Sequence, residues 1–185
     1  MADAPPPQPT TKPTPKPLAP RGTPSDAPTL AHVNKVWRRI QGNSGIYDLL
    51  LSSVELTSAS HGRIVARLAL APIHLNSKRI MHGAVSGTIC DWAGGMAIAS
   101  LGLDQTGVST DMHVSYVSTA REGDVLEIEA WVARAGKTLG FTNFEIRKAA
   151  SDTFADGDGP AAAGSVIATG SHTKFLQFYQ APPAA

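Results

Sequence analysis

The stretch His82–Ser100, HGAVSGTICDWAGGMAIAS, constrains this chain more than any other. Nearly every residue in it is small or apolar, as in a helix laid into a tight core. Glycine inside a helix costs about 1 kcal/mol, so Gly87, Gly94 and Gly95 are tolerable only where close packing offsets them. The small surfaces of Ala93, Ala97 and Ala99 likewise let the helix backbone come close to what it packs against. One residue breaks the pattern: Asp91 sits in the middle, and burying a carboxylate costs several kcal/mol unless it is paired or hydrogen-bonded.

The flanking sequence supplies what this helix packs against. Upstream, Leu30, Val33, Val36, Trp37 and Ile40 share one helical face and Gly42 supplies a stop. LLLSSVELTSAS and RIVARLALA then read as two strands joined at His61 and Gly62, the second closed by Pro72. Downstream, STDMHVSYVST, DVLEIEAWVARA, TLGFTNFEIRKA and SVIATGSHTKFL each carry period-two alternation, and REGD and AGK turns join the first three as consecutive hairpins. SDTFADGDGPAAAG before the last strand reads as an exposed loop. A large antiparallel sheet with one central helix buries it by curling around it, so the expected class is α+β, a curled antiparallel sheet wrapped around a long helix.

The chain has 185 residues, 42% of them hydrophobic, enough for one sizeable core. A formal charge of +1 marks no nucleic-acid partner, and no apolar run is long enough to span a membrane. Residues 1–28 hold most of the prolines, with Lys12, Lys16 and Arg21 between them, and read as a disordered polyproline-like tail. Proline at that density forbids an amphipathic mitochondrial presequence. The folded domain is expected over 29–178, with a second disordered tail at 179–185. The single cysteine, Cys90, forms no internal disulfide, which favours a reducing compartment. The reading is intracellular, cytoplasmic first, with the mitochondrion left open.

Several motifs carry no site. AGKT at 135–138 joins two strands and lacks the first glycine of a phosphate loop. GAVSG puts Ser86 one place late for a nucleophile elbow. His74 and His82 are spaced for neither a zinc helix nor a knuckle, so no metal is expected. Cys90 has no facing base and reads as a buried structural thiol. Asp91 differs, because His82 and Gly83 open its helix and present free N–H groups at the positive end of the dipole. An oxyanion site plus a general base is the minimum kit for hydrolysing an activated acyl group. The alternative is a structural carboxylate that caps a neighbouring backbone or pairs with an arginine.

HLNSKRIMHGAVSGTICDWAGGMAIA, GVSTDMHVSYVSTAREGDVLEIEAWVARAGKTLGFTNFEI and ATGSHTKFL together resemble the hotdog-fold acyl-CoA thioesterases of the PaaI-like group, from about Leu30 to Leu176. The resemblance implies a sheet curled around one helix, acyl-CoA as substrate and no cofactor. By position it assigns Asp91 as catalytic acid, Gly83 as the helix-opening glycine, Asn76 before it, Ser109 as holder of the attacking water and His82 at the helix mouth. Ala84 stands where the family's motif has a second glycine, narrowing the space near the thioester. In the implied mechanism the Gly83 N–H polarises the carbonyl while Asp91, its pKa raised by burial, deprotonates water; attack by Asp91 itself to form an anhydride stays open. Asn76 orients either the water or the carbonyl. Lys137 and Lys174, and more weakly Arg79, are candidates to meet the CoA phosphates.

Gly83 and Asp91 are eight residues apart, about 12 Å along one helix at 1.5 Å per residue. One chain's pair cannot serve one carbonyl, so a two-fold dimer with sites at the subunit interface is expected, and the family's habit extends this to a tetramer. A non-catalytic acyl-CoA or small-ligand binder is the alternative function. A hydratase or dehydratase would need a histidine paired with an acid, and neither His82 nor His113 sits in such a motif.

Overall fold

The computed structural model describes residues 18–20, 22–149 and 164–176. Helix α1 (Ala27–Gln41) carries Pro28 in its first turn, where a missing N–H costs nothing, and buries Val33, Val36 and Trp37. A second helix, α2 (Gly45–Leu51), follows where the sequence suggested the start of a strand. Its apolar positions explain the difference: Tyr47, Leu50 and Leu51 recur at helical spacing and turn toward the core. Strand β1 therefore begins only at Glu55.

β1 (Glu55–Ser60) and β2 (Arg63–Ala69) form the expected hairpin around His61 and Gly62, and Gly62 takes φ +82, a conformation that favours glycine. A 3-10 turn at Pro72–His74 leads to α3 (Gly83–Ala99), followed by β3 (Val108–Tyr116), β4 (Val125–Ala135), β5 (Leu139–Lys148) and β6 (Val166–Phe175). All pairings are antiparallel, in the order β1-β2-β4-β5-β6-β3. The hairpin expected between β3 and β4 does not form. After β3 the chain leaves β6 through the Val117 and Ser118 amides, passes the entrance of α3 where Ala120 accepts from the Met81 amide, and reaches the end of β2 where Gly123 donates to Leu70. The REGD turn thus carries the chain across the sheet.

The sheet curls around α3, whose Ile89, Cys90, Trp92, Met96 and Ile98 pack against Leu68, Leu126, Ile128, Phe144 and Ile146 in one core. Burying each large apolar side chain contributes about 1.5–3 kcal/mol. Gly94 meets the requirement for close approach: a Cβ there would lie 2.8 Å from both His172 Nδ1 and Thr142 Oγ1. Along α3 only Gly83, Ala84, Gly87 and Asp91 escape full burial. Gly83, Gly87 and Asp91 lie at four-residue intervals, so they form one open stripe, and a Cβ at Gly87 would meet nothing within 4 Å.

The boundary expected at residue 28 falls inside α1. Ahead of it, Ala19 donates to the His61 carbonyl at 2.9 Å and Asp26 to the Ala59 carbonyl at 2.7 Å, so the end of the proline-rich segment runs along the β1–β2 hairpin. Residues 1–17 and 21 of the expected tail, 151–163 of the expected loop together with Ala150, and 177–185 lie outside the described residues.

Candidate active site

Asp91 is two-thirds covered and gathers donors from three elements. From α2, the Tyr47 hydroxyl donates to Oδ2 at 2.6 Å. From β3, the Ser109 hydroxyl donates to Oδ1 at 2.9 Å. From β6, the Lys174 ammonium donates to Oδ1 at 3.0 Å and lies 3.5 Å from Ser109 Oγ. Period-two alternation puts His172 and Lys174 on the inner face of β6, and Ser109 stands opposite Lys174 in register. A register shift between Ser109 and Asp111 breaks strict alternation along β3 just beyond Ser109.

These contacts reverse the expectation that burial raises the pKa of Asp91. Burial does push it up, but the Lys174 charge and the hydrogen bonds from Tyr47, Lys174 and Ser109 outweigh that and leave the carboxyl below its ordinary range. Tyr47 stays a protonated donor, because burial and then the Asp91 contact push its phenol up. Burial, with Asp91 adding to it, pushes the Cys90 thiol up to about 12, consistent with a structural role. His172 is 1% exposed and its Nε2 lies 3.7 Å from Asp91 Oδ1. Burial first, then the Lys174 charge, lowers its pKa to about 4, so the ring is neutral and this contact is no ion pair.

The mouth of α3 is built from backbone. His82 is the N-cap, its Nδ1 accepting from the Ala84 amide at 3.0 Å and its carbonyl from the Val85 amide at 2.9 Å. The Gly83 amide then has no protein partner among the described residues. Asn76 shapes the approach: its Oδ1 accepts from the Lys78 amide at 2.9 Å and the Ile80 amide at 3.4 Å, and Arg79 sits between them at φ +57. The Tyr116 ring lies over Gly83, its hydroxyl donating to the Gly83 carbonyl at 3.3 Å.

Of the residues singled out from sequence, Asp91 and Ser109 meet, while Gly83, His82 and Asn76 cluster at the helix mouth. Lys174 corrects the sequence expectation: its side chain is 4% exposed and committed to Asp91 rather than offered to a phosphate. Arg79 is exposed and pairs with Glu122 at 2.5 Å. Lys137 is exposed in the β4–β5 turn. Among the described residues no group of three metal-ligating side chains assembles, and no helix is long and apolar enough to cross a membrane. A surface depression lined by Thr29, His32, His61, Ser100 and Gly102 brings no residue to Asp91.

Comparison with known proteins gives this arrangement a family. The thioesterase superfamily model matches residues 79–155. Acyl-coenzyme A thioesterase 13 of Homo sapiens is 31% identical over 130 residues, covering 70% of this chain and 84% of that protein. The chain belongs to the thioesterase superfamily. Its hotdog fold agrees with the crystal structure of zebra fish thioesterase superfamily member 2, at 31% identity and TM-score 0.67 over 80% of this chain and 98% of that one. The PaaI protein of E. coli shares the fold, with TM-score 0.63 at 18% identity over 80% and 96% of the two chains. Membership places the chain among thioester hydrolases.

Sequence reasoning missed two residues of this candidate site. His172 carried a signal, a polar residue at an inward position of a period-two strand. Tyr47 carried none, since it lies 44 residues from Asp91, just ahead of the expected strand, on a helix the sequence did not suggest.

Proposed function

We propose that the protein hydrolyses acyl-CoA thioesters to the free acid and CoA. The observation that carries this reading is the ionised, triply donated Asp91 on the same open helix face as a free N-terminal amide at Gly83. The relatives named as acyl-coenzyme A thioesterases support the substrate class.

In this mechanism the thioester oxygen rests on the Gly83 N–H, where the helix dipole favours developing negative charge. Asp91 takes a proton from water as the water oxygen bonds to the carbonyl carbon. The tetrahedral intermediate then collapses, the C–S bond breaks, and the thiolate leaves with that proton. A lowered pKa makes Asp91 a weaker base than an exposed aspartate but keeps it ionised throughout the neutral range. The same donors occupy its lone pairs, which favours water over direct attack by the carboxylate. Arg79 and Lys137 remain candidates to meet the CoA phosphates.

The site needs a second copy of the chain. Gly83 and Asp91 are separated by about 12 Å along α3, and the stripe that holds them is only half-buried. Beside it, β3 pairs among the described residues with β6 alone and exposes Val108, Met112 and Tyr116 at 65%, 48% and 63%. An edge strand with exposed apolar side chains next to a half-open helix face suits a two-fold dimer, in which Gly83 of one subunit works with Asp91 of the other. A thiol-release assay across short, medium, long and aryl acyl-CoAs tests the function; tight CoA binding with no thiol released from any of them would favour a non-catalytic binder.

A further inference from the structure

A carboxylate offers about four lone-pair sites, two on each oxygen. Oδ1 of Asp91 receives Ser109 and Lys174, and Oδ2 receives Tyr47. Among the described residues one site remains, on Oδ2, beside the phenol. We propose that Tyr47 is a positioning residue for Asp91, holding Oδ2 so that the carboxylate meets the attacking water through that single remaining site. The inference rests on Asp91 acting as the base.

The phenol is held rigidly enough for this task. Its ring meets Trp37 edge-on with centroids 6.0 Å apart, and Trp37 meets Trp92 at 5.4 Å. Trp92 follows Asp91 in α3, so the path from Asp91 through Tyr47, Trp37 and Trp92 closes on itself. The far end of α2 is tied down as well: His74 Nε2 donates to the Leu50 carbonyl at 2.9 Å while its Nδ1 accepts from the Ala71 amide at 2.9 Å. A phenylalanine at 47 would make the same ring contacts, so the hydroxyl has its consequence at Asp91. The groups facing that carboxylate are Tyr47 from α2, Ser109 from β3 with Asp111 further along it, and His172 and Lys174 from β6; Cys90 adjoins it on α3.

The test compares wild type with Tyr47→Phe in two measurements: kcat and KM against pH, and the titration of the Asp91 carboxyl carbon followed by NMR. Loss of a hydrogen bond to the anion raises the carboxyl pKa. The acid limb of kcat and the NMR titration should both move up by about one unit, with kcat at neutral pH about tenfold lower and KM nearly unchanged. A limb and titration that stay in place overturn the inference. If Tyr47→Phe fails to fold, a fluorinated tyrosine at 47 keeps the shape and sharpens the donor, so both features should move down; no movement again overturns it. Asp91→Asn separates the two levels: an inactive Asp91→Asn beside an unmoved titration overturns the role of Tyr47 alone, whereas full turnover in Asp91→Asn overturns the functional reading beneath it.

Discussion

At the mouth of α3, the Gly83 amide is free because of its immediate neighbours: His82 takes the next two amides, and Asn76 shapes the turn before them. Two turns further on, Asp91 draws partners from α2, β3 and β6, elements 18 to 83 residues away in sequence. One end of the site is thus built by local backbone geometry and exposed at the surface. The other is built by side chains that only the finished fold brings together. The first should tolerate any change that keeps an amide at position 83, while the second should respond to changes on several elements.

The largest effects should come from removing the acting group at each end. Asp91→Asn is expected to keep the fold and lower kcat by at least ~10²-fold, the usual scale for a general base. Gly83→Pro should cost about 10²–10³-fold in kcat by deleting one oxyanion donor. Proline suits the first helical position and His82 is already extended at φ −72, ψ 136, so circular dichroism should show an intact helix. Turnover near wild type in either variant removes that residue from the mechanism.

Mixing the two inactive variants asks whether the two ends belong to one chain. After unfolding and refolding together, about half the dimers are mixed, and each holds one intact and one doubly damaged site if the ends act across subunits. Activity should recover to about a quarter of wild type. No recovery, with dimers verified by size, would overturn the site shared between subunits and leave Asp91 a structural carboxylate.

A stability effect isolates the tertiary cluster. The folded-state pKa of His172 is about 4 against an ordinary 6.5. Between these values the unfolded chain binds the extra proton, so the stability His172 contributes is full above pH 6.5 and is lost as pH falls toward 4. The loss amounts to about 3 kcal/mol. Melting temperatures across that window should fall in wild type and stay flatter in His172→Asn; parallel curves would mean that another group titrates.

The smallest effect should be Gly83→Ala. The new Cβ would meet the Tyr116 ring at 3.3 Å, and that ring is mostly exposed and free to shift. Turnover within about threefold and stability within about 0.5 kcal/mol are expected, as for surface substitutions generally. A loss as large as that in Gly83→Pro would show that space at the mouth matters more than its amide.

Much of this molecule was legible in the amino-acid sequence, wherever the determining forces are local. The small-residue run with its lone carboxylate specified a helix packed inside a sheet, alternation marked the strands, and His82 with Gly83 marked the helix opening. The same locality explains the misreadings. Leu49–Leu51 look like strand until the core contacts of Tyr47 and Leu50 show the helical period, and the REGD turn looks like a hairpin although β3 pairs with β6.

The charge state of Asp91 was beyond the reach of the sequence. Burial alone argues for a raised pKa, and that argument holds only while the carboxylate lacks partners. Whether Lys174 points to solvent or to Asp91 depends on the register of β6 against β3, on a bulge at Thr110, and on α2 delivering a phenol from the other side. Sequence by itself determined the helix, its opening amide and the acid it carries. The tertiary structure decided what that acid touches, because a hydrogen bond reaches only about 3 Å and its partners lie tens of residues away along the chain.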